Sequence, residues 1–155
     1  MAIAAATFIS DTVKFIRDKL AANITDPISA KRNTTYPNRE RFVMTSYPKR
    51  PVNYPIITVK LDNARMEFRT GMQSEGIWTI LPLEIRVWAR NEEEKDNLTE
   101  QVITFLRQNQ FGNGGSVPEE LHDFRWNASF DVDEDGEESV KSRIMQIQYK
   151  AEVNS

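Results

Sequence analysis

The stretch Leu83-Glu-Ile-Arg-Val-Trp-Ala-Arg-Asn91-Glu-Glu-Glu94 carries two periodicities that meet at one residue. Up to Arg90, apolar and polar residues alternate: Leu83, Ile85, Val87 and Ala89 on one side, Glu84, Arg86 and Trp88 on the other. That is the period of a strand with one buried face. From Asn91 the pattern turns helical. Asn91 is a good N-cap, Glu94 stands three residues on as in a capping box, and Glu92 and Glu93 suit the positive end of a helix dipole. Leu98, Val102, Phe105 and Leu106 then form one apolar stripe. Phe111-Gly-Asn-Gly-Gly115 ends the helix, with Gly112 as the candidate C′ residue.

Upstream the same strand reaches back to residue 77, and Pro82, which cannot donate to a ladder, predicts a bulge or an edge there. Before it, Ile57, Val59 and Leu61 alternate with Thr58 and Lys60, Asp62-Asn63-Ala64 makes a turn, and Met66 and Phe68 alternate in a further strand. Downstream, Phe124, Trp126, Ala128, Phe130 and Val132 occupy every second position, as do Met145, Ile147, Tyr149, Ala151 and Val153. The acidic segment 131–139 joins these two closing strands as a hairpin. At the N-terminus, Ile9, Val13, Ile16, Leu20 and Ile24 predict a helix over about residues 5–23, ended at Asp26-Pro27.

Residues 25–54 differ from the rest. Pro27, Pro37, Pro48 and Pro51 punctuate them and aliphatic content falls. A connector this long inside a compact domain is functional or disordered more often than not, and Tyr36, Phe42, Tyr47 and Tyr54 give it aromatic surface to bury. It reads as an extended arm, with Arg41–Tyr47 able to pair as a strand. The expected fold is α+β: a single domain over 1–155, with a largely antiparallel four- to five-stranded β-sheet, two α-helices packed on one face, and the long arm.

Composition narrows the chemistry. The 155 residues include no Cys and one His, His122, which removes disulfides, thiolate zinc sites, cysteine nucleophiles and multi-histidine metal sites. No apolar run approaches the ~20 residues that span a bilayer, and Met1–Ser10 lacks the basic region of a signal peptide. Charge is split along the chain. Residues 1–70 hold 12 Lys and Arg against 6 Asp and Glu, and residues 71–155 hold 8 against 17. Residues 31–50 alone carry six bases and one acid, so one surface is expected to attract a complementary one on a partner or on a second copy.

Three motifs invite a chemical reading. Asp131-Val-Asp133-Glu-Asp135-Gly136 opens like an EF-hand loop, but the twelfth position is Ser142 instead of a bidentate Glu, and strand-like flanks replace helices. A solvated acidic hairpin tip explains it better. His122-Asp123 is the one His–carboxylate pair, and adjacent residues of an extended segment point apart. Asn113-Gly-Gly115 follows a helix, where a phosphate cradle would lead into one. No catalytic residue, metal ligand or cofactor follows from these residues, and the chain reads as a non-enzyme. The basic, aromatic-bearing arm 31–54 keeps a nucleic-acid-binding module open as an alternative, against the acidic overall balance.

The arm's end, Tyr47-Pro-Lys-Arg-Pro-Val-Asn-Tyr-Pro-Ile-Ile-Thr-Val59, the junction Glu84-Ile-Arg-Val-Trp-Ala-Arg-Asn91, the charged helix Glu92–Leu106 and the closing hairpin together resemble the tail-terminator (tail-completion, neck) proteins of long-tailed bacteriophages. The resemblance spans most of the chain; residues 110–123 and the acidic hairpin match nothing specific in it. It implies a structural virion protein, assembled in the host cytoplasm. Such proteins form a ring, typically hexameric, that caps the tail tube, stops its polymerisation and joins the tail to the head connector. The implied partners are copies of itself, the tail tube protein and the head–tail connector, with DNA passing through the lumen without specific binding and no membrane involved. On that reading Arg39, Arg41, Phe42, Tyr47, Lys49, Arg50 and Tyr54 of the arm contact the adjacent subunit. Asp131, Asp133, Glu134, Asp135, Glu137 and Glu138 face the lumen and repel the DNA backbone. A head-side connector or stopper of the same neck is the near alternative.

Overall fold

A computed structural model of the chain describes residues 8–32, 40–45, 53–61, 65–70, 76–108, 122–132 and 141–154. Its elements are α1 (Phe8–Asn23), a 3-10 turn (Ser29–Lys31), β1 (Val43–Met44), β2 (Ile56–Leu61), β3 (Arg65–Thr70), β4 (Gly76–Ala89), α2 (Glu92–Gln108), β5 (His122–Val132) and β6 (Lys141–Asn154). The sheet runs β1-β2-β4-β6-β5, with β3 beside β4. Every described pairing is antiparallel except β1 with β2. The α+β expectation holds, with five full strands and the two-residue β1 added at one edge.

The alternation in β4 organises the core. β4 and β6 pair without interruption from Gly76 opposite Asn154 to Ala89 opposite Lys141, so buried residues line up in rows across three strands. Val59, Ile85 and Met145 make one row, and Leu83 with Ile147 and Leu81 with Tyr149 continue it. On this face lie both helices: Val13, Ile16, Leu20 and Ile24 of α1 and Leu98, Val102, Phe105 and Leu106 of α2 join the same apolar cluster. Burying each such aliphatic side chain contributes roughly 1.5–3 kcal/mol.

The opposite face carries the polar half of the alternation. There the Arg86 guanidinium lies 3.7 Å over the Trp88 ring and donates to Ser142 at 2.9 Å, while Trp88 Nε1 donates to Thr58 at 3.1 Å. These contacts keep large side chains half-buried on a face that, among the described residues, no helix covers.

Pro82 sits at a seam. On one flank β2 pairs with β4 as far as Leu83 and β3 takes over at Ile80. Among the described residues, positions 81 and 82 have no partner on that side, and the expected edge is met inside a central strand.

Two expectations change. The arm is not extended throughout: residues 27–31 turn and form the 3-10 helix. Within Arg41–Tyr47, where a strand could pair, Val43 and Met44 do so as β1, with Val43 opposite Ile57. In β5 the every-second-residue stripe does not stay on one face. The register slips between Trp126 and Ala128, so Trp126 stands opposite the buried Ile147 while Phe130 stands opposite Ile144 of the other face. An extra residue in the ladder inverts the side-chain direction beyond it. The turn at 62–64, the first three residues of the expected N-terminal helix and the Gly112 cap lie outside the described residues.

Candidate assembly surfaces

The arm is held by one buried cation. Asp26 ends the α1 region, and its Oδ1 accepts the Ile28 N–H at 3.0 Å, which turns the chain after Pro27. That turn carries Arg32 inward, where its side chain is only 4% exposed. Its Nε donates to Asp26 Oδ2 at 2.5 Å, its Nη1 to the Asn53 carbonyl at 2.8 Å, and its Nη2 to the Pro55 carbonyl. Glu40 lies 3.7 Å from Nη1 and itself accepts from the Asn53 side chain at 3.2 Å. The guanidinium also stands 5.5 Å from the centre of the Phe42 ring. A planar fork of donors satisfies several fixed acceptors at once, which a lysine cannot do. Arg32 thereby pins both ends of the arm to the start of β2.

This settles where part of the predicted arm goes. Phe42 and Val43 are buried in the chain's own core, Arg41 is exposed and Tyr54 is half-buried. Arg39, Tyr47, Lys49 and Arg50 lie outside the described residues. The structure thus brings Phe42 and Tyr54 near the Arg32 anchor and leaves Arg41 on the outside.

A second charged cluster joins α2 to β5. Lys95 falls three residues before Leu98, on the apolar stripe itself, and its side chain is 3% exposed. Its ammonium lies 2.6 Å from Glu92 and 3.0 Å from Asp131, and Asp131 is also 3.0 Å from Arg143. Burial works against the Lys95 charge, but hydrogen bonds to Glu92 and Asp131 outweigh it and hold its pKa above the ordinary value. The Lys95 hydrogen bond, assisted by Arg143 against some desolvation, holds the Asp131 carboxyl below the usual carboxylate range. Asp131, expected at the mouth of an acidic loop, is instead a strand residue matched by two cations. Asp133, Glu134, Asp135, Glu137 and Glu138 lie outside the described residues. Among those described, no three His, Asp or Glu side chains gather as a metal site.

At the start of α2 the cap forms as expected, with a variation. The Glu94 N–H donates to Asn91 Oδ1 at 2.9 Å. The Glu94 carboxylate reaches back past the cap to the Arg90 N–H at 3.1 Å and to the Arg90 guanidinium. Desolvation opposes that carboxylate's charge, yet the Arg90 bonds prevail and lower its pKa.

β5 is the outermost strand on the side away from β1. Among the described residues it pairs only with β6. Trp126 and Phe130 are 38% and 43% exposed. Beside this edge, Ile103 and Arg107 of α2 and Trp126, Asn127, Ala128 and Ser129 of β5 line an open groove of about 340 Å³.

Sequence reasoning missed Arg32 and Lys95. Arg32 had little readable signal, because apart from Asp26 its acceptors, the Asn53 and Pro55 carbonyls, lie over 20 residues away. Lys95 had one: a charge on an apolar stripe implies a buried partner.

No protein-family description matches the chain, and no curated protein matches it in sequence. A solved chain from a particle described as the virion of a native gene transfer agent is similar in structure, with a TM-score of 0.54 and 11% identity. The match covers 93% of this chain and 97% of that one, so the two share a backbone architecture nearly end to end.

Proposed function

We propose that this chain is a structural virion protein, and more narrowly a tail terminator. In this reading its copies close into a ring, hexameric by the family resemblance. The ring caps the last ring of the tail tube, ends its growth and offers the opposite face to the head connector. The observation that carries the proposal is the near full-length structural likeness to a chain of a virion particle. The motifs of residues 47–59 and 84–91 supply the narrower assignment. The fold contributes a rigid sheet whose two edges differ, as a head-to-tail contact requires. No catalytic step is part of this reading; the molecule works by binding neighbours, in the virion.

The nucleic-acid-binding alternative is weakened by the arm's own contacts. Arg32 and Phe42 are engaged within the chain, which removes a cation and a stacking ring from any phosphate or base.

The test is a mass measurement of the purified protein with electron microscopy of the protein mixed with tail tubes. Rings seated on tube ends support the terminator reading. A strict monomer that never decorates tubes overturns it, and rings that seat only on head connectors favour the head-side stopper.

A further inference from the structure

We propose that the outer edge of β5, with the groove beside it, receives the basic arm of a second copy of this chain. This rests on the ring reading and names the surfaces that meet.

A strand of eleven residues at the end of a sheet presents a row of unmet N–H and C=O groups, which proteins seldom leave bare. Among the described residues nothing pairs with the outer flank of β5. An extended segment laid along it would continue the sheet, with backbone hydrogen bonds supplying affinity and alternate side chains reaching into adjoining pockets. The groove between α2 and β5 is such a pocket. It lies on the helix side, is lined by Ile103 and the exposed Trp126, and at about 340 Å³ has room for an aromatic ring.

The occupant follows from topology and charge. The order β1-β2-β4-β6-β5 places β1 and β5 at opposite ends of one sheet. In sequence, β1 is flanked by Arg39, Arg41, Lys49 and Arg50 against one acid, Glu40, and Glu40 is already taken up by Arg32 and Asn53. At the β5 end, the chain runs from Val132 directly into Asp133, Glu134, Asp135, Glu137 and Glu138. One chain therefore has a basic, tyrosine-bearing segment next to β1 in sequence and, at the other end of the sheet, an acid-flanked strand whose outer flank pairs with nothing among the described residues. Two copies in the same orientation bring these together without either copy using the same patch twice, which is a heterologous contact and closes into a ring if the rotation allows. The assignment gives these acids to the neighbour's arm in place of the lumen.

The absence of cysteine makes the test direct. Thr45→Cys is combined in turn with Arg125→Cys, Asn127→Cys and Phe130→Cys, and the proteins are oxidised. At least one pair is expected to give a reductant-sensitive ladder beyond the dimer, while single variants stop at dimers and Phe15→Cys with Asn127→Cys gives none. In parallel, Arg41→Glu is expected to weaken self-association about tenfold or more, since a like charge is then placed against the acids. Oligomers that form by mass measurement but give no ladder from any of the three pairs, or that ignore Arg41→Glu, overturn the edge contact and leave the ring reading standing. A protein that is monomeric at every concentration overturns both.

Discussion

The Lys95 ammonium in α2 lies 3.0 Å from the Asp131 carboxylate in β5, and this contact ties the second helix to the outermost strand. Lys95 is buried while Asp131 is half open to solvent, so the pair is asymmetric. Replacing Lys95 by Met keeps the packed stem and removes the buried charge; because Glu92 and Asp131 are open enough to stay hydrated, stability should change by no more than about 1 kcal/mol in either direction. Lys95→Glu buries an anion beside Asp131 and should cost several times that, roughly 3–5 kcal/mol. Urea denaturation of the two variants checks the contrast.

The acid dependence of stability follows from Asp131 and Glu94. Both carboxyls are held below the ordinary range, by Lys95 and Arg143 in one case and, against desolvation, by Arg90 in the other. A depressed folded-state pKa contributes stability that is present above the unfolded value, about 4, and is lost as pH falls through the folded one. The urea midpoint should therefore drop between about pH 5 and pH 3, and by less in the Asp131→Asn, Glu94→Gln double variant.

Arg32 should be the most sensitive charged position. Arg32→Leu leaves Asp26, Glu40 and two carbonyls in a nearly closed site without their donor, a loss of about 3–5 kcal/mol. Arg32→Lys restores the charge without the fork and should recover only part of it. Limited proteolysis should cut the arm of either variant faster than that of the parent, and equal rates would count against Arg32 as the anchor.

Tyr149 offers the opposite kind of change. Its ring is fully buried against Phe124, 5.2 Å between centres, and among the described residues its hydroxyl has no hydrogen-bond partner. Tyr149→Phe should stabilise the fold by about 1 kcal/mol, the cost of an unmet buried polar group. Burial pushes the Tyr149 hydroxyl up. A raised folded pKa makes stability fall as pH rises past the unfolded value of about 10, and the variant should lose less there. Thermal melts at pH 7 and pH 10.5 would show both effects.

The Asn91 cap is testable alone. Asn91→Ala removes the acceptor of the Glu94 N–H and should cost about 1 kcal/mol, read as a lower thermal midpoint with helix content nearly unchanged.

What could be read from the sequence was whatever local periodicity controls. The alternation from Leu83 to Ala89, the switch at Asn91 and the stripe from Val13 to Ile24 all appear where expected, because each rests on residues within a few positions of one another. The slip at Asn127 left no mark: Phe124 to Val132 alternates without a break, and the inversion comes from the ladder with β6. Arg32 was hidden for a related reason, its carbonyl acceptors at Asn53 and Pro55 being distant in the chain. The arm was legible as unusual in composition, and Arg41–Tyr47 as able to pair, but that Val43 and Met44 pair in parallel with β2 was not, since two residues of strand name no partner.

The unbroken β4–β6 ribbon has a mechanical consequence. Fourteen residues at strand rise make a bar about 45 Å long, joined along its whole length and stiffened by both helices on one side. A pull along that bar loads the cross-strand bonds in shear, all together, whereas a pull across it would open them one at a time. Tension is resisted best when these long strands lie along the line of force.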